Sequence, residues 1–154
     1  MNTSYQLTVL RATRTNATRI IQSLSNEQIN LIPPGFANNL IWNYGHMVVT
    51  QQMIVYGLSG LPLHVDRELI AAYRRGSQPE QNVSRVAVDR LVDLHAETIS
   101  LLEKDLNRHD LFQNFQEHTT VFGTTMTDHR EGVIFNNIHE GYHLGIMQAI
   151  RKFV

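Results

Sequence analysis

The sequence contains no cysteine among its 154 residues. This absence excludes disulfide bonds, thiolate zinc sites, iron–sulfur clusters and cysteine nucleophiles. Lysine is nearly absent as well, with only Lys104 and Lys152, and the formal net charge is -1. The arginines are spread along the chain, so the sequence predicts no basic surface that would neutralise nucleic-acid phosphates. We therefore expect no nucleic-acid partner.

A long uninterrupted hydrophobic run is also missing. The most apolar stretch, residues 40–58, includes Asn43, His46, Gln51 and Gln52, which make it too polar to span a membrane. The first twenty residues lack the basic start and apolar run of a signal peptide. The sequence thus predicts a cytoplasmic protein with no membrane partner. Its length is typical of a single domain covering residues 1–154.

Apolar residues recur at three- and four-residue steps, the period of a helix, in four long segments. The segments are residues 3–24, 39–58, 84–106 and 128–152. Each begins beside a residue type that caps helices. These residues are Thr3 or Ser4, Asn39, Ser84 and Asp128. Residues 119–124 instead favour an extended or tightly turned segment.

The connections between these segments are longer than the loops of a simple up-down bundle. Short extra helices are expected near residues 25–28 and 66–75. The sequence therefore predicts an all-α fold, a four-helix bundle with long inter-helix connections. In the first segment, Arg14 and the other arginines are expected on faces away from the core.

The second and fourth segments carry different expectations about packing. Residues 40–55 are apolar on most faces, which indicates a helix packed on several sides and predicts a homodimer that buries the excess. In the fourth segment Phe135, Ile146 and Ile150 are expected to face the core. Its apolar positions include Ile134, Phe135, Ile138, Tyr142, Ile146, Met147, Ile150 and Phe153.

Eight histidines are present, and two of them, His139 and His143, are four residues apart in the fourth segment. Four steps of ~100° place their imidazoles one turn apart on one helix face, where both can bind a single divalent ion. His46 is the third candidate ligand, because an unbound polar ring in the apolar second segment would be costly. Three histidine ligands leave open positions for water or substrate. Zinc and nickel are the metals expected for imidazole ligands.

Other residues near these histidines carry further expectations. Gly45, Gly141 and Gly145 lack side chains and would allow another helix to approach closely. Asn43, Thr50 and Asn136 are expected to line the site. The remaining histidines are interpreted as structural or solvated residues. They are His64, His95, His109, His118 and His129.

Two other metal sites share part of this pattern. Residues 139–143 match the zincin motif H-E-x-x-H, but none of the eleven residues that follow is His, Glu or Asp, so the third protease ligand is missing. A di-iron bundle needs two E-x-x-H motifs, and only the one formed by Glu140 and His143 is found. Because Glu140 points ~100° away from His139, it either supports a ligand from outside the metal shell or is solvated.

Asn39, Leu40, Trp42 and Gly45-His46, together with residues 139–145, resemble the DinB-like superfamily. The similarity extends over residues 7–151. It implies a small four-helix bundle, usually dimeric, in which His46, His139 and His143 hold a divalent metal ion.

Characterised members of the family transfer or isomerise groups with a low-molecular-weight thiol such as bacillithiol or mycothiol. The resemblance therefore implies a metal-dependent enzyme with a small-molecule substrate, either a thiol-dependent transferase or a hydrolase. The alternative is a metal-binding or interaction protein of the same fold that catalyses no reaction.

Overall fold

The computed structural model of the protein describes residues 3–108 and 110–154. The side chains of Thr3 and Ser4, expected as helix caps, and His109, expected in a loop, lie outside the described residues. The described part is mostly helical. In chain order its helices are α1 (Thr3–Gln22), α2 (Asn26–Asn30), α3 (Leu40–Gln51), α4 (Arg67–Tyr73), α5 (Arg85–Leu106) and α6 (His129–Ile150). The predicted all-α fold is confirmed.

The expected caps begin the helices. The Asn39 side chain accepts a hydrogen bond from the backbone N–H of Trp42 at the start of α3. Ser84 caps α5 and Asp128 caps α6 in the same way. Side-chain oxygens at these positions satisfy backbone donors that have no partner within the helix. The caps therefore place the starts of α3 and α6, the two helices that carry the candidate ligands.

The second long segment differs from the single helix that the sequence predicts. After Gln51 the chain continues as a π-helical turn over Gln52–Gly57. Within it, the N–H of Leu58 donates to the carbonyl of Met53, five residues earlier. Hydrophobic periodicity does not distinguish this wider turn from an α-helix, because both bury the same side of the chain.

The four long helices form a bundle in which α1 and α3 each pack against both α5 and α6. Two apolar clusters fill its interior, one around Ile21, Leu40 and Met147 and the other around Leu10, Val55 and Leu102. Along α1, α5 and α6 a layer of polar residues separates the two clusters. It contains Arg14, Thr98, Asn136, Glu140 and His143, which are buried, and His139, which is half-buried.

A two-stranded antiparallel hairpin precedes α6. It pairs β1 (His118–Thr119) with β2 (Thr125–Met126), with His118 opposite Met126. Gly123 adopts φ +77° in the turn, a conformation that glycine reaches without steric cost. The hairpin agrees with the extended or turned structure predicted for this segment.

The buried face of α6 contains polar residues beside the expected apolar ones. Of the three residues expected to face the core, Ile150 is buried, and Phe135 and Ile146 are half-buried. Asn136 and Glu140 are buried as well, because Glu140 pairs with an arginine of α1 and Asn136 donates to Glu140. Other apolar side chains of the segment are exposed, namely Ile138, Tyr142 and Phe153 at 54%, 58% and 64%.

Among the described residues, no helix combines the length and apolar character needed to cross a bilayer.

Candidate metal centre

Three imidazoles from two helices converge at one side of the polar layer. α3 contributes His46, and α6 contributes His139 and His143. One ligand atom from each ring lies within 4.8 Å of the others, and the ring centroids are 4.5 to 5.1 Å apart. His46 and His143 are buried and His139 is half-buried. The structure therefore brings together the three residues that the sequence singled out.

Backbone and side-chain acceptors orient two of the rings. Nδ1 of His46 donates to the carbonyl of Tyr73 at 2.6 Å. Nδ1 of His143 donates to Oδ1 of Asn43 at 2.8 Å, and the amide of Asn43 donates in turn to the carbonyl of Asn39. A proton held on Nδ1 leaves the lone pair of Nε2 free, which is the usual arrangement of a metal-binding histidine.

The third ring, His139, has no such partner. Its Nδ1 atom is buried without a hydrogen bond. Buried polar atoms are rarely left unpaired, and an ion that binds the lone pair of this ring would fix its tautomer. The donor set and this unpaired nitrogen together fit a divalent metal ion.

Burial keeps the three rings neutral. It lowers the pKa of His139 to about 3, with a further contribution from the imidazoles of His143 and His46. Burial and then His46 lower the pKa of His143 to about 3. The pKa of His46 is also lowered by burial, against its bond to the Tyr73 carbonyl. Neutral imidazole is the form that binds metals.

A close approach at Gly45 helps to position His46. A Cβ atom at this residue would lie 2.6 Å from the ring of Tyr73, so only glycine allows α4 to pack here and bring the Tyr73 carbonyl to His46. The expectation for Gly45 is thus confirmed. For Gly141 and Gly145 it was wrong, because a Cβ at either position would meet no described atom within 4 Å.

Two of the three residues expected to line the site do so. Besides Asn43, Thr50 places its hydroxyl 3.3 Å from Nε2 of His46. Trp42, one turn before His46, stacks on its ring at a centroid distance of 4.6 Å. Asn136 does not line the site, because its amide donates to Glu140 on the other side of α6.

Glu140 forms a buried ion pair with Arg14. Their closest atoms are 2.7 Å apart, and both side chains are almost completely buried. Arg14 also donates to the hydroxyl of Thr98 and the carbonyl of His95 on α5. The expectation that Glu140 is solvated was therefore wrong. The expectation that Arg14 faces away from the core was wrong as well.

Sequence reasoning missed this pair although a signal was present. Leu7, Leu10, Ala17 and Ile21 are the buried apolar residues of α1 around Arg14. With position 14 included, the spacing alternates between three and four residues, which places Arg14 on the inner stripe of the helix. The Tyr73 carbonyl, by contrast, is a backbone atom and leaves no signal in the sequence.

The remaining described histidines have other surroundings. His95 is buried, stacks on Tyr44 and donates from Nε2 to the Tyr44 carbonyl. His64 lies near Asp105, and His129 stacks on Phe112. His118 is exposed in β1. Among the residues that the structure describes, none of these joins the cluster of His46, His139 and His143.

The comparison with known families agrees with this architecture. The sequence profile of the DinB superfamily matches residues 10–147 of the chain. The chain belongs to the DinB superfamily. The match includes the three clustered histidines and most of the four long helices of this DinB-superfamily bundle. No curated protein matches the sequence.

Proposed function

We propose that this DinB-superfamily protein binds one divalent ion, zinc or nickel, through His46, His139 and His143, and uses it in an enzymatic reaction on a small molecule. The observation that carries the proposal is the convergence of three neutral imidazoles from two helices. Structural zinc sites have four protein ligands, whereas catalytic sites keep an open position. No described carboxylate completes this cluster.

When bound, a divalent ion at such a site lowers the pKa of a thiol or water in its open position. The chain itself holds the ligands in place: the Tyr73 carbonyl and Asn43 Oδ1 retain the Nδ1 protons of His46 and His143. Three neutral ligands leave the charge of the ion uncompensated, which favours an anionic ligand such as a thiolate. Since the chain has no cysteine, the thiol would come from a cosubstrate.

A thiol-dependent transferase is therefore our first candidate and a hydrolase the second. Hydrolysis of the zincin type would need a free carboxylate as general base, and the carboxylate of Glu140 is bound by Arg14. The third candidate, a metal-binding protein without turnover, shares the same site. We place the protein in the cytoplasm, where small thiols are kept reduced.

Metal content tests the proposal directly. We expect elemental analysis of the purified protein to give about one ion per chain, and His139→Ala to lose it. His118→Ala, which replaces an exposed histidine of β1, is the matched control and should retain the ion. An unchanged metal content in His139→Ala would overturn the assignment.

A second experiment separates the candidate activities. The metal-loaded protein is incubated with small thiols and a panel of electrophiles, and thiol consumption is followed. Turnover that stops on chelation supports a transferase. Metal-dependent cleavage of esters or amides without thiol would favour the hydrolase. The absence of both activities would favour a metal-binding protein that catalyses no reaction.

A further inference from the structure

Apolar side chains lie beside the three-histidine cluster. The ring of Phe135, one turn before His139 on α6, lies 6.4 Å from the His139 imidazole between centroids. Phe122, at the tip of the hairpin, packs on Phe135 at 5.8 Å. These contacts form a continuous path of rings from a candidate metal ligand to the surface. We call Phe122 and Phe135 the apolar wall.

The position of Phe122 is unusual for so large a side chain. It is 55% exposed, although it occupies a tight turn, where small and polar residues prevail. The turn is well defined: Thr120 N–H donates to the Thr124 carbonyl, and Phe122 N–H donates to the Thr120 hydroxyl. A turn held in this way presents the ring beside Phe135 instead of burying it.

The carboxylate next to a candidate ligand in the sequence does not face the cluster. Glu140 is completely buried and bound to Arg14. No other acidic side chain among the described residues joins the three imidazoles. An apolar substituent on a ligand bound here would meet the apolar wall.

We propose that the ligand of this centre carries an aryl or alkyl group that packs against Phe122 and Phe135 while its thiolate binds the metal ion. The proposal rests on the proposed function and specifies its substrate class. Burial of a phenyl ring against two aromatic side chains contributes through removal of apolar surface from water. Phe122 is then a specificity-determining residue.

The test uses full-length protein loaded with Co²⁺, whose visible spectrum reports metal binding and whose thiolate absorption reports thiol binding. Phenylmethanethiol and 2-mercaptoethanol are the probes, because both are alkyl thiols and only the first has an aryl group. We expect phenylmethanethiol to bind at least tenfold more tightly. Phe122→Ala should remove most of this preference, and Phe122→Leu should retain part of it.

Phe153→Ala is the matched control, because Phe153 is an exposed aromatic residue that contacts Phe36 rather than the cluster. It should leave the preference unchanged. Equal binding of both thiols by the wild type, or an unchanged preference in Phe122→Ala, would overturn the inference while the metal site stands. Failure to bind Co²⁺ would overturn the proposed function and the inference with it.

Light scattering of the same variants covers the remaining alternative. If Phe122 instead contacts a second copy of the chain, Phe122→Ala will lower the molecular mass in solution, which would overturn the ligand role. An unchanged mass together with the lost preference supports it.

Discussion

The ion pair between Arg14 and Glu140 gives the glutamate of the H-E-x-x-H motif a structural role in place of the general-base role that it has in zincin proteases. The Glu140 carboxylate accepts hydrogen bonds from Nε and Nη2 of Arg14 and from the side-chain amide of Asn136. A carboxylate held in this way lies behind the ligand helix, away from the three imidazoles. The motif H-E-x-x-H therefore combines two ligand candidates with a residue that joins α6 to α1.

Substitution of Glu140 separates a role of this residue in stability from a role in metal binding. Glu140→Gln leaves the buried charge of Arg14 without its partner, so we expect the free energy of unfolding to fall by about 3 kcal/mol or more. Metal content should stay near one ion per chain, whereas His143→Ala should lose the ion. Urea denaturation and elemental analysis measure the two effects. Folded Glu140→Gln protein without metal would show that Glu140 belongs to the metal site.

The same variants rank the reaction classes once a substrate is known. At a temperature where Glu140→Gln is folded, its activity should exceed that of any of the three histidine variants, because activation comes from the ion rather than from a carboxylate base. A Glu140→Gln variant as inactive as His143→Ala, with metal bound, would favour the protease-like mechanism.

We expect Asn43 to act on the candidate metal centre through its hydrogen bond with His143. In Asn43→Leu the Nδ1 proton of His143 loses its acceptor, and the affinity for metal should fall about 10–100-fold. Asn43→Asp keeps an acceptor oxygen and should retain more of the affinity. A competition titration with a chromophoric chelator gives both constants. Equal affinities for wild type and Asn43→Leu would show that this hydrogen bond does not support the site.

At the scale of the helices, capping residues and periodicity predicted most of the architecture. Asn39, Ser84 and Asp128 are local signals, and each begins a helix in the structure. The inner face of α6 could not be predicted in this way, because Glu140 is buried only through Arg14, 126 residues away in the chain. The grouping of His139 and His143 was predictable because their four-residue spacing is itself a local signal.

Two glycines allow a matched comparison of helix packing. Gly45→Ala introduces a Cβ 2.6 Å from the Tyr73 ring, so α4 must move and take the Tyr73 carbonyl away from His46. We expect a loss of about 1–3 kcal/mol in stability together with weaker metal binding.

Gly141→Ala is the control for this effect. Its Cβ would meet no described atom within 4 Å, and alanine favours helix by about 1 kcal/mol over glycine. This variant should therefore be more stable than the wild type and bind metal equally well. Thermal unfolding and metal titration distinguish the two. Equal effects of both substitutions would contradict the packing role of Gly45.

At the scale of the whole molecule, the structure changes the basis for the expected homodimer. Residues 40–49 are all buried within one chain, so this part of α3 has no apolar surplus for a partner to cover. Exposed apolar side chains lie on α6 instead, including Ile138. The dimer stays a prediction, and light scattering that gives a monomer at micromolar concentration would contradict it.

The last prediction concerns the dependence of stability on pH in the metal-free protein. Burial lowers the pKa of His95 well below the ordinary value of 6.5, and the charge of Arg14 adds to this against the bond to the Tyr44 carbonyl. The pKa of His139 and that of His143 fall to about 3. All of these histidines are therefore neutral in the folded state and take up protons more readily when unfolded.

The sign follows from this difference. Because the unfolded chain binds more protons below pH 6.5, the stabilisation that neutral histidines give is present above that pH and is lost as the pH falls towards 3. Each such group contributes up to about 1.4 kcal/mol per pH unit. His95→Gln keeps a side-chain donor for the Tyr44 carbonyl but cannot titrate. Between pH 6.5 and 5 this variant should therefore lose less stability than the wild type, by up to the contribution of one histidine.

Urea denaturation at several pH values between 7.5 and 5 measures these slopes in the presence of a chelator. His118→Ala is the control, because His118 is exposed and its replacement should leave the slope unchanged. If His95→Gln and the wild type lose stability in parallel, the imidazole of His95 does not contribute. The remaining slope would then belong to the other buried or half-buried histidines whose pKa burial lowers, which are His46, His129, His139 and His143.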